Sequence, residues 1–415
     1  MKKRRWHSIS KNFIIVFILV ALCYAFIPLY KYLEWYAPGF IECITHPSVT
    51  QVSGVYYGNA DFGIVINPIG APPAGTASVF FYEETPDGAL RRIARISGMP
   101  PATGRPSAIG NMLCFPQYEI FRALDKTSYV TMVNMANKKF VRKVKLKAPN
   151  GEFIVEINGK IFVNVGRGIE VFDKGMDDLI KTITPSEGEN FFHIYGYGEK
   201  VYALETSKTD TILREVDPNT LKITKTLHFN FAVTPNGNHC AIVRFKGKVY
   251  ATGYDEPLKV GTYVHRVIYE LTDTITPVYV YPEKVELCNA IENCRNKAKL
   301  HSEDPHISFS FNAFIPINPE KKEFLLLGRT SLLAKKVHYY VFDTLTGKFT
   351  EVPPEFMLNG DDDLMYDTGV YSKGKVYIAT AQYLLRFEKG TLTIVDRFGR
   401  RKYDTAAFRM ESCGN

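Results

Sequence analysis

The stretch Lys200-Val201-Tyr202-Ala203 recurs with small changes along the second half of the chain. The other copies begin at Lys160, Lys248 and Lys375, and each copy is closely preceded by Gly or Gly-Glu. In every copy but the one at Lys248, a second strand-like run follows and ends in an acidic turn, as at Val216-Asp217. The pattern therefore indicates a repeated unit of strand, turn and strand.

The length of the repeated unit points to one kind of fold. Units of about 40 to 50 residues with four strands each are typical of β-propeller blades. The runs between the copies alternate apolar and polar residues, and turns such as Pro86-Asp87-Gly88 separate them, which is the hairpin pattern. The sequence predicts an all-β head, a propeller of about seven blades over residues 53–415.

Charge and composition fit one large globular head. The chain has 415 residues, of which 46% are hydrophobic and 13% aromatic. The formal net charge is +8, but residues 1–12 contain several basic residues and no acidic one: Lys2, Lys3, Arg4, Arg5 and Lys11. The remaining charge is ordinary for a soluble domain, so the sequence argues against a nucleic-acid partner.

An uncharged apolar run from Phe13 to Tyr30 follows the basic residues. As a helix it would cover roughly 27 Å, about the hydrocarbon thickness of a bilayer. The positive-inside rule then predicts a cytoplasmic basic tail at 1–12, a transmembrane signal-anchor at 13–30 and a connector at 31–52. We expect a single-pass protein of the cell membrane whose head is periplasmic or extracellular. A cleaved signal peptide, a lipoprotein signal at Cys23 and a buried core helix remain as alternatives.

The cysteines agree with an oxidising compartment. Cys288 and Cys294 lie close together in a polar stretch between apolar runs, and we predict a disulfide between them. A metal site is the alternative, but it would require paired Cys-x-x-Cys spacing or nearby histidines. Cys114 and Cys240 lie in apolar, strand-like contexts, where a cysteine usually serves as a small buried hydrophobe.

One part of the chain resembles a kelch-type blade. A strand ends at Asp343, the turn carries Thr346-Gly347, Phe349 opens the outer strand, and Gly374-Lys375-Val376-Tyr377 opens the next unit. The double glycine of that family is absent after Tyr377, so the resemblance holds at the level of the propeller superfamily. It implies a propeller and leaves function open, because propellers host enzymes, receptors and assembly platforms.

Two polar segments contain residue types that bind cations. His301 and His306 flank carboxylates, and this combination is able to ligate a divalent metal. The other segment is an acidic turn, where clustered oxygens are able to hold calcium: Asp361, Asp362, Asp363 and Asp367. The complete spacing of a calcium loop is absent, and solvated polar loops are the simpler interpretation for both segments. We therefore predict no metal or cofactor, with calcium as the alternative.

Motifs of known catalytic sites were sought and not found. The chain has no Gly-x-Ser-x-Gly elbow, no His-Glu-x-x-His helix motif and no phosphate-binding glycine loop. The leading hypothesis is a protein-interaction or assembly scaffold with a protein partner rather than an enzyme. One alternative is a hydrolase or lactonase-like enzyme with a metal in the central channel, held by the two polar segments. Another is an adhesin or structural protein of the envelope.

Overall fold

The structure is a computed structural model. It describes residues 48–51, 61–68, 77–99, 107–118, 128–134, 139–147, 153–185, 190–206, 210–233, 242–245, 248–257, 259, 262–286, 314–318, 323–329, 337–343, 346, 348–352, 368–379, 383–398 and 403–409. No helix within these ranges is long and apolar enough to cross a membrane. The predicted signal-anchor at 13–30 lies outside them.

The regular elements in these ranges are β-strands. The first ten are β1 Ser48–Gln51, β2 Phe62–Pro68, β3 Ala77–Glu84, β4 Leu90–Met99, β5 Ser107–Ile109, β6 Met112–Tyr118, β7 Ser128–Asn134, β8 Lys139–Lys145, β9 Phe153–Ile157 and β10 Lys160–Asn164. The next ten are β11 Ile169–Asp173, β12 Leu179–Ile183, β13 Asn190–Tyr197, β14 Lys200–Thr206, β15 Thr211–Asp217, β16 Lys222–Phe229, β17 Ala232–Val233, β18 Ile242–Phe245, β19 Lys248–Tyr254 and β20 Tyr263–Leu271. The last ten are β21 Ile275–Glu286, β22 Phe314–Asn318, β23 Glu323–Arg329, β24 Val337–Asp343, β25 Lys348–Val352, β26 Thr368–Ser372, β27 Lys375–Ala379, β28 Tyr383–Glu388, β29 Thr391–Arg397 and β30 Tyr403–Arg409.

The strands form seven antiparallel sheets, which we letter A to G along the chain. Six of them are built from strands consecutive in sequence: B from β5–β8, C from β9–β12, D from β13–β16, E from β17–β21, F from β22–β25 and G from β26–β29. Within each sheet the strands follow one another in sequence order, except that β17 and β18 both pair with β19. Sheets of this kind, repeated around an axis, make a propeller. The prediction of an all-β propeller is confirmed.

Sheet A joins the two ends of the described chain. Its strand order is β1-β4-β3-β2-β30, and β30 pairs with β2 from Phe62↔Arg409 to Pro68↔Tyr403. The sequence predicted about seven blades, and this count is wrong: the structure has six, each a sheet of strands consecutive in sequence. The difference arises because the first unit supplies only part of its own sheet, and a strand distant in sequence completes it.

The sheets pack against their neighbours through alternating residues of the same strand. On β10, Ile161 and Val163 pack in a cluster with residues of sheet B, whereas Phe162 between them packs with residues of sheet D. On β14, Val201 packs towards sheet C and Tyr202 towards sheet E. Successive side chains of a strand point to opposite faces, so each blade contributes to two interfaces. This explains why the recurring stretch is apolar at consecutive positions.

The glycine that precedes the recurring lysine forms the first hairpin turn of the unit. Asn158 and Gly159 have φ of 52° and 70°, and Lys373 and Gly374 have φ of 44° and 83°. Two consecutive residues with positive φ define the tight hairpin turn that matches strand twist, and glycine adopts this conformation without steric cost.

A polar contact joins sheet A to sheet G where the ring closes. The Tyr377 hydroxyl donates to Glu84 Oε2 at 3.0 Å, and Lys375 forms an ion pair with the same carboxylate. Lys373 Nζ lies 2.9 Å from Asp61 Oδ2. Farther along the same interface, the Tyr82 hydroxyl donates to Asp396 Oδ2 at 2.6 Å. Direct side-chain bonds therefore support the closure between the composite sheet and the last continuous blade.

Candidate binding surface

The side chains predicted to bind a cation lie outside the described residues. His301 and His306 fall between β21 and β22, and the four aspartates from Asp361 to Asp367 fall between β25 and β26. Cys288 and Cys294 also fall between β21 and β22. The metal sites and the disulfide thus stay predictions. Within the part of the chain that the structure describes, no group of three or more His, Cys, Asp or Glu side chains is arranged to hold a metal ion.

Cys114 confirms its predicted role as a small buried hydrophobe. Its side chain is fully buried between sheets B and C, and its thiol is free. Burial, with a smaller contribution from Glu156, raises the pKa of this thiol to about 12. Because the thiolate is the reactive form of cysteine, Cys114 is chemically inert at neutral pH. Cys240 lies outside the described residues.

Three lysines of the recurring stretch form structural ion pairs. Lys375 pairs with sheet A, as described above, whereas Lys200 and Lys248 each pair with an acidic residue near the end of the following strand. Lys200 Nζ lies 2.7 Å from Asp217 Oδ2, and Lys248 Nζ lies 3.0 Å from Glu270 Oε1. The hydrogen bond from Lys200 is the main cause that holds the pKa of Asp217 below its usual range. These lysines fasten hairpins at one face of the propeller, which we call the turn face.

Three tyrosines of sheet D form what we call the tyrosine cluster: Tyr195, Tyr197 and Tyr202. Tyr195 and Tyr202 are directly opposite each other on β13 and β14, and their rings stack with centroids 5.4 Å apart. Tyr197 meets Tyr202 edge to face at 6.4 Å. Both arrangements are the favoured geometries for aromatic pairs. The cluster lies beside the hairpin turn that joins β13 to β14.

The tyrosine cluster has a buried base and an exposed end. Tyr195 is 1% exposed and Tyr202 is 3% exposed, whereas Tyr197 is 39% exposed. The Tyr195 hydroxyl donates to the Thr272 carbonyl at 2.7 Å, which ties the base to sheet E. The exposed ring is therefore supported by side chains that have little freedom to move.

Charged groups of both signs surround the exposed end. Lys200 lies 4.0 Å from Glu215 and also pairs with Asp217, and the Tyr202 hydroxyl donates to Glu215 Oε2 at 3.3 Å. Burial, then the charge of Glu215, raises the pKa of Tyr202 to about 12. On sheet E, the hydrogen bond to Glu270 raises the pKa of Lys248, and Tyr197 is near enough to contribute. The raised pKa values keep Tyr195 and Tyr202 neutral, and Lys200 and Lys248 charged, at neutral pH.

Only one tyrosine of the cluster belongs to a motif of the sequence, and that motif indicates the fold and not a binding surface. Tyr202 belongs to the recurring stretch, which was interpreted as a sign of the fold. Tyr195 and Tyr197 lie in the run Phe191-Phe192-His193-Ile194-Tyr195-Gly196-Tyr197. The density of aromatic residues in that run is the signal that points to a surface of this kind.

Sheet D also contains a buried ion pair. Glu205 is fully buried, and it accepts hydrogen bonds from Arg214 Nε at 2.8 Å and from Nη2 at 3.3 Å. Arg214 Nη1 donates to Thr226 Oγ1 at 3.0 Å. The pair crosses from β14 to β15, and the threonine extends it to β16. A two-pronged arginine-carboxylate contact of this type is strong and specific in geometry.

Comparison with known proteins supports the fold and goes no further. No family model and no curated protein match the sequence, so the kelch-type resemblance is not confirmed at the level of a family. Among solved structures, the chain is similar to a candidate 6-phosphogluconolactonase from Bacteroides fragilis, with a TM-score of 0.50 and 12% identity over 84% of this chain and 98% of that chain. A likeness of this size shows a shared propeller fold.

Two further solved structures are more distant. A candidate 6-phosphogluconolactonase from Bacteroides uniformis gives a TM-score of 0.48 and 10% identity over 84% of this chain and 100% of that chain. BamB from Moraxella catarrhalis gives a TM-score of 0.42 and 11% identity over 85% of this chain and 92% of that chain. Because a propeller fold is shared by proteins of many functions, the function of this chain has to be argued from its own surface.

Proposed function

We propose that the propeller is a binding scaffold that holds a partner protein at the tyrosine cluster on its turn face. The observation that carries this proposal is the exposed ring of Tyr197, which packs edge to face against buried Tyr202, and Tyr202 in turn stacks on buried Tyr195. Tyrosine is among the residues that contribute most to protein interfaces, since it buries a large area with few rotatable bonds. An anchor that is already rigid loses little entropy when a partner covers it.

The charges around the cluster suit a protein partner. Lys200 and Lys248 carry positive charge, while Asp217 and Glu270 carry negative charge, and all four border the same pair of hairpins. An interface with an aromatic centre and a rim of mixed charge has the usual anatomy of a protein-protein contact. The rim charges fix orientation and partner choice more than they add affinity.

The first prediction tests the exposed tyrosine. Tyr197→Ala is expected to weaken retention of the partner at least tenfold, which is about 1.4 kcal/mol, because the substitution removes the central aromatic contact. The melting temperature should change little, since the ring is partly exposed in the free protein. Quantitative mass spectrometry of proteins that co-purify with the detergent-solubilised full chain measures the effect.

Tyr263→Ala is the matched control, because this tyrosine is 58% exposed and lies on sheet E. A protein lost with Tyr197→Ala and kept with Tyr263→Ala is the partner that the proposal requires. If every co-purifying protein is retained equally by both variants, the tyrosine cluster is not the binding surface.

We further propose that residues 13–30 anchor the scaffold in the cell membrane, with the head outside the cytoplasm. The apolar length of this run and the basic residues before it support the proposal. An oxidising location would also allow Cys288 and Cys294 to pair.

The second prediction tests this topology. In intact cells, an external protease is expected to remove a tag placed after Asn415 and to leave a tag placed before Lys2 uncut, because only the head is exposed outside. Permeabilised cells, in which both tags are accessible, serve as the control. Protection of the carboxyl-terminal tag in intact cells would show that the head is cytoplasmic, and both the location and the disulfide would then be given up.

A further inference from the structure

Basic residues are concentrated on the outermost strands of sheets B, C and D, and on β4 of sheet A, which β1 covers. Strands β4, β8, β12 and β16 contain Lys or Arg and neither Asp nor Glu: Arg91, Arg92, Arg95, Lys139, Arg142, Lys143, Lys145, Lys181, Lys222 and Lys225. The outermost strands of sheets E, F and G each contain acidic and basic residues together. The outermost strands of sheets B to D therefore carry basic residues and no acidic ones.

Strand β8 has the highest density of basic residues among these strands. It pairs with β7 on one side, and no other strand within the described ranges pairs with its opposite side. Arg142 forms an ion pair with Asp177 of sheet C. Lys143 and Lys145 are exposed, and Val141 between the basic positions is 46% exposed. The Lys143 amine lies 4.0 Å from the centre of the Tyr129 ring on the neighbouring strand β7.

The neighbouring sheet shows that such an edge accepts another strand. Strand β1 pairs antiparallel with β4, from Ser48↔Ser97 to Gln51↔Ala94, and makes sheet A five-stranded. This strand comes from a segment outside the repeated units. Addition of an extended segment to an outer edge is thus already part of this fold, and β8 occupies the corresponding position in sheet B.

We propose that β8 binds an acidic extended segment of a partner protein, which adds to sheet B as a fifth strand. Main-chain hydrogen bonds to an open edge supply affinity in this binding mode, and side chains supply selectivity. Exposed lysines on an edge strand repel another basic strand, which prevents association between copies of the same edge. The same lysines attract a strand that carries glutamate or aspartate in opposing positions, since opposite charges across a strand pair are stabilising.

An anionic membrane is the less suitable partner for this surface. Three of the basic strands are the outer edges of sheets B, C and D, and a flat surface contacts the side of a ring of sheets at only a few points. A membrane would also leave the open main-chain edge of β8 without hydrogen bonds. An acidic strand from a protein pairs with the lysine charges and also forms hydrogen bonds with the main chain of β8.

The third prediction tests strand addition with a defined probe. The full chain is mixed with a short peptide that alternates glutamate and valine, and hydrogen exchange is followed by mass spectrometry. The peptide is expected to slow exchange of main-chain amides within residues 139–145, because a new strand covers that edge. The same peptide with lysine in place of glutamate is expected to give no protection. Binding should weaken as salt rises from about 0.05 M to about 0.5 M, since salt screens exposed charges.

Two double variants that change the net charge equally, one on β8 and one on β16, test whether the peptide binds at the β8 edge or is attracted by the overall charge. Lys143→Glu with Lys145→Glu should weaken peptide binding at least tenfold, whereas Lys222→Glu with Lys225→Glu on β16 should change it less than twofold. Lys143→Gln with Lys145→Gln, which keeps the edge and removes only charge, should fall between the two. Thermal unfolding of each variant checks that the fold is kept.

The proposal fails if the acidic and basic peptides protect β8 equally, or if neither protects it. It also fails if both pairs of glutamate substitutions weaken binding to the same extent, because attraction would then depend on total charge. Protection by phosphatidylglycerol vesicles without protection by the peptide would assign the basic strands to a membrane surface instead. None of these outcomes bears on the tyrosine cluster, which lies on β13 and β14 of sheet D, whereas β8 belongs to sheet B.

Discussion

Ending the chain after residue 402, which removes β30, is expected to unfold the propeller at temperatures where the full chain is folded. Strand β30 pairs with β2 over seven residues, and without it the inner edge of sheet A has no partner strand. Phe62 and Ile64 of β2 are fully buried in the cluster shared by sheets A and G. Exposure of two such side chains costs up to about 3 kcal/mol each, a large share of the stability of a typical domain, about 5–15 kcal/mol.

The truncation is read out by circular dichroism during heating and by size-exclusion chromatography. A chain that ends at Arg409 is the matched control, because it keeps every described strand. Addition of a synthetic peptide of residues 403–409 should restore part of the thermal transition if the missing strand is the cause. A truncated chain that melts at the same temperature as the control would show that β30 does not close the ring.

The repeated part of the fold could be predicted from the sequence because its determinants are local. The lysine of each recurring stretch begins a second strand, at Lys160, Lys200, Lys248 and Lys375. At Lys160, Lys200 and Lys375 the preceding glycine lies in the turn, and the apolar residues after each lysine pack on both sides of the sheet. Each of these signals involves residues a few positions apart, where periodicity is informative.

The composite sheet could not be predicted in the same way. Strand β30 pairs with β2 across almost the entire chain, and such pairing leaves no trace in local periodicity. The sequence Tyr403–Arg409 contains neither the glycine turn nor the lysine of the recurring stretch. Contacts between residues this far apart are set by closure of the ring, which depends on all the sheets between them.

The tyrosine cluster could not be predicted for a related reason. Its exposed end depends on how far Tyr197 extends beyond its neighbours, and its base depends on a hydrogen bond to Thr272 in the next sheet. The residue types of the sequence indicate candidate cation-binding sites instead, in the polar segments rich in histidine and aspartate. Residue type predicts possible chemistry, whereas burial and the contact between sheets decide which aromatic residue is available to a partner.

Arg214→Ala is expected to be the most destabilising single substitution proposed for the described residues. It leaves the buried carboxylate of Glu205 without its arginine, and breaking a buried ion pair from one side costs about 3–5 kcal/mol. Most of this cost is the free energy of an uncompensated buried charge rather than the strength of the pair itself. Replacement of both residues, Glu205→Leu with Arg214→Met, should therefore recover much of the lost stability.

Urea denaturation of the single and double variants measures these changes in the free energy of unfolding. Arg91→Ala is the matched control, because Arg91 pairs with Glu83 at 2.7 Å on the surface, where the arginine side chain is 46% exposed. Exposed pairs contribute about 0–1 kcal/mol, so this variant should remain close to the parent. If Arg214→Ala and Arg91→Ala cost the same, burial does not control the strength of these pairs. If the apolar double variant is no more stable than Arg214→Ala, the loss comes from the packing of the arginine stem and its bond to Thr226, and not from a stranded carboxylate.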